Sequence, residues 1–175
     1  MRLWPFGKKK EQMSVETPCA EPAVPTHLKP FFIQREDKRN DTQIAGDIRC
    51  TCGCETFVAK QSKDDDCIYR LTCDVCGTDI LLFDARVQGW DAIVCKMPGE
   101  HLQMGDTTAK CEKCGGEHFH VTVWVEPTEK EEFISCTEGE LPDSEWVNAF
   151  TWFAAHLTCA ECGCKQRDWA DIETA

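Results

Sequence analysis

The sequence predicts a small, mainly β protein, with two tandem three-stranded antiparallel units behind a disordered N-terminal arm. Three observations predict it. Two short motifs each occur twice, in the same order along the chain. Strand-like segments lie between them. The first 49 residues hold five of the eight prolines in a chain of 175.

The arm comes first. Residues 1–49 carry 9 Lys+Arg against 7 Asp+Glu and a single cysteine, Cys19. Pro18, Pro22, Pro25 and Pro30 interrupt helix and sheet and favour an extended, solvated chain. Within Met1–Lys10, Leu3, Trp4 and Phe6 sit beside Lys8, Lys9 and Lys10. That cluster reads as a frayed terminus, or as a weak docking element for an anionic membrane or a protein groove.

The repeat follows. Leu71-Thr72-Cys73-Asp74-Val75-Cys76-Gly77 recurs as Leu157-Thr158-Cys159-Ala160-Glu161-Cys162-Gly163. Upstream, Cys52-Gly53-Cys54-Glu55-Thr56-Phe57 recurs as Cys114-Gly115-Gly116-Glu117-His118-Phe119. Duplication of one small unit accounts for both. The units divide the chain at 50–108 and 109–175. Between Cys52 and Cys73 lie 20 residues, and between Cys114 and Cys159 lie 44. The second copy therefore carries an insertion, placed in the acidic stretch Glu126–Glu145.

In the first unit, Thr56–Ala59 and Cys67–Thr72 read as an antiparallel pair joined by the polar turn Lys63–Asp66, with Thr78–Phe83 as third strand. In the second, His118–Val125 alternates: Phe119, Val121, Val123 and Val125 point one way and His118, His120, Thr122 and Trp124 the other. Asp143 is placed to cap a helical turn over Ser144–Asn148. Trp146, Phe150, Phe153 and Leu157 have helical spacing, but Leu157-Thr158 matches a strand end in the first unit, so Phe150–Thr158 is expected as strand. Between the units, the apolar run Arg86–Val94 is expected to pack across both or to add a strand.

Fourteen cysteines in a chain of formal charge −12 need a chemical account. No apolar run approaches the roughly 20 residues needed to cross a bilayer. Residues 1–49 lack the apolar core of a secretory signal. The expectation is a cytoplasmic protein, where reducing conditions make dense cysteine a sign of metal rather than disulfides. A Cys-x-x-Cys-Gly turn aims two sulfurs at one centre and leaves backbone amides free to donate to them. The glycine supplies the positive φ the turn needs. Two such turns make a four-thiolate tetrahedron suited to Zn²⁺. In the second unit these are Cys111, Cys114, Cys159 and Cys162. In the first they are Cys73 and Cys76 with Cys52 and Cys50, in a turn one residue shorter; Cys54 is the alternative to Cys50.

This arrangement resembles the zinc-ribbon family, over about residues 50–84 and 109–172 and on the Cys-x-x-Cys-Gly elements. The resemblance implies two Cys-turns at β-hairpin ends holding each three-stranded sheet with one Zn²⁺, hence two Zn²⁺ per chain. A bare ribbon buries too little surface to fold without its metal.

Other residues carry weaker signals. Cys54 and Cys164 each follow a ligand and its glycine, as packing or supporting residues or as alternate ligands. Cys67, Cys95 and Cys136 read as small buried hydrophobes rather than nucleophiles. Glu117, His118 and His120 lack a recognisable partner for a further metal and read as exposed strand residues. Trp124 and Trp169 read as packing residues rather than base-stacking ones.

Residues 50–175 hold 10 Lys+Arg against 24 Asp+Glu, and a zinc tetrathiolate adds further negative charge. The function expected is a non-enzymatic zinc-binding adaptor acting on a protein partner with a basic surface. Nucleic-acid binding is disfavoured by charge. The remaining alternative is a rubredoxin-like iron electron carrier, because four-cysteine turns also hold iron.

Overall fold

The computed structural model describes residues 23–36, 42–63, 68–97 and 105–175. The chain is mainly β. Its strands are β1 (Phe32–Arg35), β2 (Ile44–Ile48), β3 (Phe57–Ser62), β4 (Ile68–Cys73), β5 (Asp79–Asp84), β6 (Asp106–Thr108), β7 (His118–Glu126), β8 (Trp152–Cys159) and β9 (Lys165–Glu173). Helix α1 covers Trp90–Ile93 and α2 covers Lys130–Thr137, with a 3₁₀ helix over Asp143–Asn148. No helix among the described residues is long and apolar enough to cross a membrane.

The two expected units are present as β3–β4–β5 and β7–β8–β9, each an antiparallel meander. Their registers coincide: Phe57 lies opposite Cys73 as Phe119 lies opposite Cys159. Leu71 pairs with Ile80 as Leu157 pairs with Gln166, and an irregularity follows at the same depth in both last hairpins. The repeat therefore extends to backbone register, beyond the motifs that reveal it in the sequence.

The units are joined edge to edge. β3 pairs antiparallel with β7 through Phe57↔Phe119 and Val58↔His118. Because the equivalent residues Phe57 and Phe119 face each other, a local two-fold axis passes through this pairing. It is only two residues long, and the rest of each edge is filled by the strand that precedes the other unit's first Cys-turn. β2 pairs with β7, with Asp47 opposite Thr122, and β6 pairs with β3, with Thr108 opposite Lys60. Asp47 and Thr108 each stand three residues before a cysteine, Cys50 and Cys111, so β2 and β6 are equivalent strands exchanged between the units. Unpaired backbone N–H and C=O groups along those edges are thereby satisfied. The result is one nine-stranded antiparallel sheet.

The sheet curls so that both units share one core. Phe83 of β5 stacks on Phe153 of β8 at 5.2 Å, and Tyr69 of β4 meets Trp169 of β9 edge-on at 5.0 Å. Phe57, Phe83, Phe119, Phe133, Phe150 and Phe153 are fully buried, each contributing about 1.5–3 kcal/mol by removal from water. Trp169 thus packs between units, as expected. α1 also bridges them: Gly89 N–H donates to the Asn148 carbonyl, Trp90 N–H to that of Phe150, and Asp91 N–H to that of Thr174.

Two expectations are corrected. The arm assigned to 1–49 is corrected at residues 23–36 and 42–49, which are built into the sheet and core. Leu28 is fully buried and Ile48 nearly so. The Phe32 ring covers Gly46 on the neighbouring strand so closely that a Cβ there would come within 2.4 Å of it. Prolines misled because Pro25 starts a tight turn, with Leu28 N–H bonded to its carbonyl, that drops Leu28 into the core. The insertion between β7 and β8, expected to hold only a helical turn over Ser144–Asn148, also holds α2. α2 buries Phe133 and the 3₁₀ helix buries Val147, although Asp143 makes no capping hydrogen bond. Residues 1–22, including Met1–Lys10 and Cys19, lie outside the described residues, as do Asp64–Asp66 and Cys67.

Replacing Leu28 with Ala should cost about 2–5 kcal/mol in denaturant unfolding, the range for emptying a buried leucine site. A cost below about 0.5 kcal/mol would place residues 23–31 outside the core. Gly46→Val should likewise destabilise by displacing the Phe32 ring.

Candidate metal centres

Each centre is built from two reverse turns that begin where a strand ends. In three of the four turns the glycine N–H returns to the first cysteine's carbonyl four residues back: Gly77 to Cys73, Gly115 to Cys111 and Gly163 to Cys159. In the fourth, Gly53 bonds Cys50 only three residues back. That is the turn in which Cys50 and Cys52 are separated by one residue instead of two. All four glycines have positive φ, between 68° and 90°, a region costly for residues with a Cβ.

The turns are closed by a second bond, from the first cysteine's N–H to the carbonyl just beyond the glycine. Cys73 bonds Thr78, Cys111 bonds Gly116, Cys159 bonds Cys164 and Cys50 bonds Cys54. This equates Cys54 with Gly116, and Cys164 with Thr78. The sequence alignment of the first turn, with Cys50 rather than Cys54 in the site, has the same geometry.

The sulfurs converge accordingly. Cys50, Cys52, Cys73 and Cys76 form one tetrad and Cys111, Cys114, Cys159 and Cys162 the other, all sulfurs of a tetrad lying within 4.8 Å of one another. Cys50 Sγ is 3.5 Å from Cys76 Sγ, and Cys52 Sγ is 3.6 Å from Cys73 Sγ. In the second tetrad, Cys111 and Cys162 are 3.5 Å apart, as are Cys114 and Cys159. A tetrahedron with metal–sulfur bonds of about 2.3 Å has edges of about 3.8 Å. The sulfur sets fit such an ion, and in both the first cysteine of one turn approaches the second of the other. Cys50, Cys73, Cys111 and Cys159 are buried, while Cys52, Cys76 and Cys114 face solvent.

Thiol chemistry within the tetrads is uneven. The Thr78 hydroxyl, 3.1 Å from Cys76 Sγ, and the Thr78 amide hold the Cys76 thiol down to about 6. The Cys114 and Lys113 amides do the same for Cys111, also to about 6. Burial pushes Cys73 up to about 12. Cys76 and Cys111 thus ionise more readily than a free thiol, and binding of a cation by thiolates would release protons.

The centres sit close to the local two-fold axis. Cys73, Phe57, Phe119 and Cys159 form one row across four strands, so Cys73 and Cys159 are separated by three interstrand spacings, about 14 Å. The first centre abuts the second unit. His118 Nδ1 lies 2.8 Å from Asp74 Oδ2, and His120 Nδ1 lies 3.0 Å from the Glu55 carbonyl. Both histidines are exposed, and neither joins a metal-ligating group among the described residues.

The chain matches no protein-family model, no curated protein and no solved structure. The site must be read from its own geometry.

Some contacts have no signal in the motifs. Cys54 lies outside the tetrad and is engaged by Thr56, its Sγ donating to the Thr56 carbonyl and accepting from the Thr56 amide. Gly116 takes the equivalent place because the Glu161 carboxylate lies over it, 2.6 Å from where a Cβ would be. The residue equivalent to Glu161 is Val75, which points into solvent. A matching ion pair braces each first turn, Arg49–Glu55 at 2.6 Å and Lys110–Glu117 at 2.9 Å. Aligning the residue before Cys50 with that before Cys111 would have revealed it. Cys95 and Cys136 are exposed, against the expectation of burial, because neither lies on a core-facing strand.

Substituting Ser singly at Cys50 or Cys159 should remove one bound metal per chain, because a neutral hydroxyl is a far poorer ligand than a thiolate. Cys54→Ser and Cys164→Ser should leave the metal content unchanged. Metal-to-protein ratios of the four purified variants test this, and a loss confined to the Cys54 variant would reverse the assignment of the first turn.

Proposed function

We propose that this chain is a non-enzymatic zinc protein of the zinc-ribbon type, in which two Zn²⁺ ions staple an acidic platform for protein interaction. The observation that carries the reading is the pair of four-sulfur clusters with edges near those of a thiolate tetrahedron. Four thiolates fill a tetrahedral ion's coordination positions and leave none for substrate, so each ion acts as a structural tie. A reducing, cytoplasmic setting keeps the thiols available for it.

The ties are needed where they stand. Each Cys-turn pair closes a sheet end at the surface, where apolar packing runs out, and one sulfur of every pair is buried against the core. Since the strands are exchanged between units, an ion in either site anchors residues on which the other unit's sheet depends.

The insertion supplies the partner surface. Glu129, Glu131, Glu132, Glu138, Glu140 and Asp143 are exposed on and beside α2, whose Phe133 anchors it to the body. Residues 111–175 hold 4 Lys+Arg against 14 Asp+Glu. A basic protein surface is the electrostatic complement.

Elemental analysis of the purified chain should return two zinc ions per chain, and one metal, none, or mainly iron would overturn the zinc reading. Stripping the metal should lower the thermal midpoint of both units together by more than about 10 °C, followed by circular dichroism. Reversing charge at Glu131 and Glu132 to Lys should abolish capture of a basic partner while leaving zinc content intact. Unchanged capture would remove the insertion from the interface.

A further inference from the structure

On the face of β7, β8 and β9 turned away from the core, two adjoining depressions of about 340 and 390 Å³ share Arg35, Thr122, Thr158 and Lys165 and so form one groove. Its walls come from β1 and β2 on one side and β9 on the other. Four cations line it: Arg35, Arg49, Lys165 and Arg167. Three acids line it too, and each is engaged. Asp47 accepts from Arg35 at 3.2 Å and Thr122 at 2.7 Å, Glu55 meets Arg49 at 2.6 Å, and Asp168 lies 2.9 Å from His156 Nε2. Lys165 and Arg167 are exposed and enter none of these pairs. Elsewhere the described surface is dominated by acids, so this groove is a local reversal of a chain of formal charge −12. Beside the two cations, the Trp124 indole packs against the His156 imidazole with centroids 4.1 Å apart, and both rings line the groove.

From this juxtaposition of unengaged cations, a hydroxyl and an aromatic platform, we propose that the groove binds nucleotides, with phosphate at Lys165 and Arg167 and the base against Trp124. A guanidinium and an ammonium take phosphate oxygens, Thr158 offers a hydroxyl while that of Thr122 is committed to Asp47, and an indole stacks on any base. Inorganic anions would use only the first part of this set. The groove is open along its length, and a free mononucleotide and a stretch of single strand present the same chemistry to it. This surface borders the first Cys-turn through Arg49 and Glu55 but uses none of the eight tetrad sulfurs and no residue of α2, so the inference goes beyond the zinc-stapled platform.

The test uses the full, metal-loaded chain, with metal content measured on the same sample. Thymidine monophosphate and a short single-stranded oligothymidylate are titrated in parallel, following Trp fluorescence and the anisotropy of a labelled strand. Saturable binding should weaken as salt rises. It should fall at least about tenfold in the Lys165→Ala/Arg167→Ala double variant and weaken in Trp124→Leu, while Lys130→Ala on α2 leaves it unchanged. Saturation by the strand alone assigns a single-stranded nucleic acid, and saturation by the mononucleotide assigns a free nucleotide. Absence of saturable binding by both probes at low salt overturns the proposal. So does binding that survives the double substitution, or that inorganic phosphate at equal concentration displaces as well as nucleotide does. A normal zinc content with no nucleotide binding would sink this inference and leave the zinc reading standing.

Discussion

Two residues of strand pairing, Phe57 opposite Phe119 and Val58 opposite His118, determine how everything else is arranged. Because equivalent residues meet, the two units are related by a local two-fold axis. Because the overlap is so short, each unit leaves most of a strand edge open. A bare β edge is a template for misassembly and a row of unsatisfied donors and acceptors. β2 and β6 close those edges by crossing to the other unit, and that exchange prevents either unit from folding as a self-contained ribbon. The shared core, with Phe83 stacked on Phe153, follows from the same closure.

The candidate metal centres are subordinate to this frame in position but not in importance. They lie at the ends of β3, β4, β7 and β8 near the axis, where the chain reverses and no apolar layer can cover it. Four sulfurs around an ion give a turn the rigidity that a larger protein would obtain from packing. The short first turn shows how tightly the geometry is specified. With one residue fewer, Gly53 bonds a carbonyl three residues back rather than four, yet Cys50 still reaches its place beside Cys76. The outer face of the sheet is freed by this division of labour. Within its groove the acids are engaged in local pairs and four cations gather.

The sequence by itself determined the repeat, five of the six strands of the two meanders and the eight sulfurs. Each of these depends on neighbours a few residues away: a glycine at positive φ, a cysteine pair in one turn, alternation along a strand. It also favoured Cys50 over Cys54, since aligning one copy with the other is a comparison of local geometry, and the sulfur positions decided between them. Only the tertiary structure decided the exchange of β2 and β6, because Ile44–Ile48 and Asp106–Thr108 share no residue pattern and are equivalent solely through what they pair with. Residues 23–31 were illegible for a related reason. Prolines signal local extension, whereas the burial of Leu28 depends on a cavity built by strands remote in sequence. The basic groove was hidden by the same limit: net charge sums over the chain, while Arg35, Arg49, Lys165 and Arg167 become neighbours only once β1, β2 and β9 are set around β7 and β8.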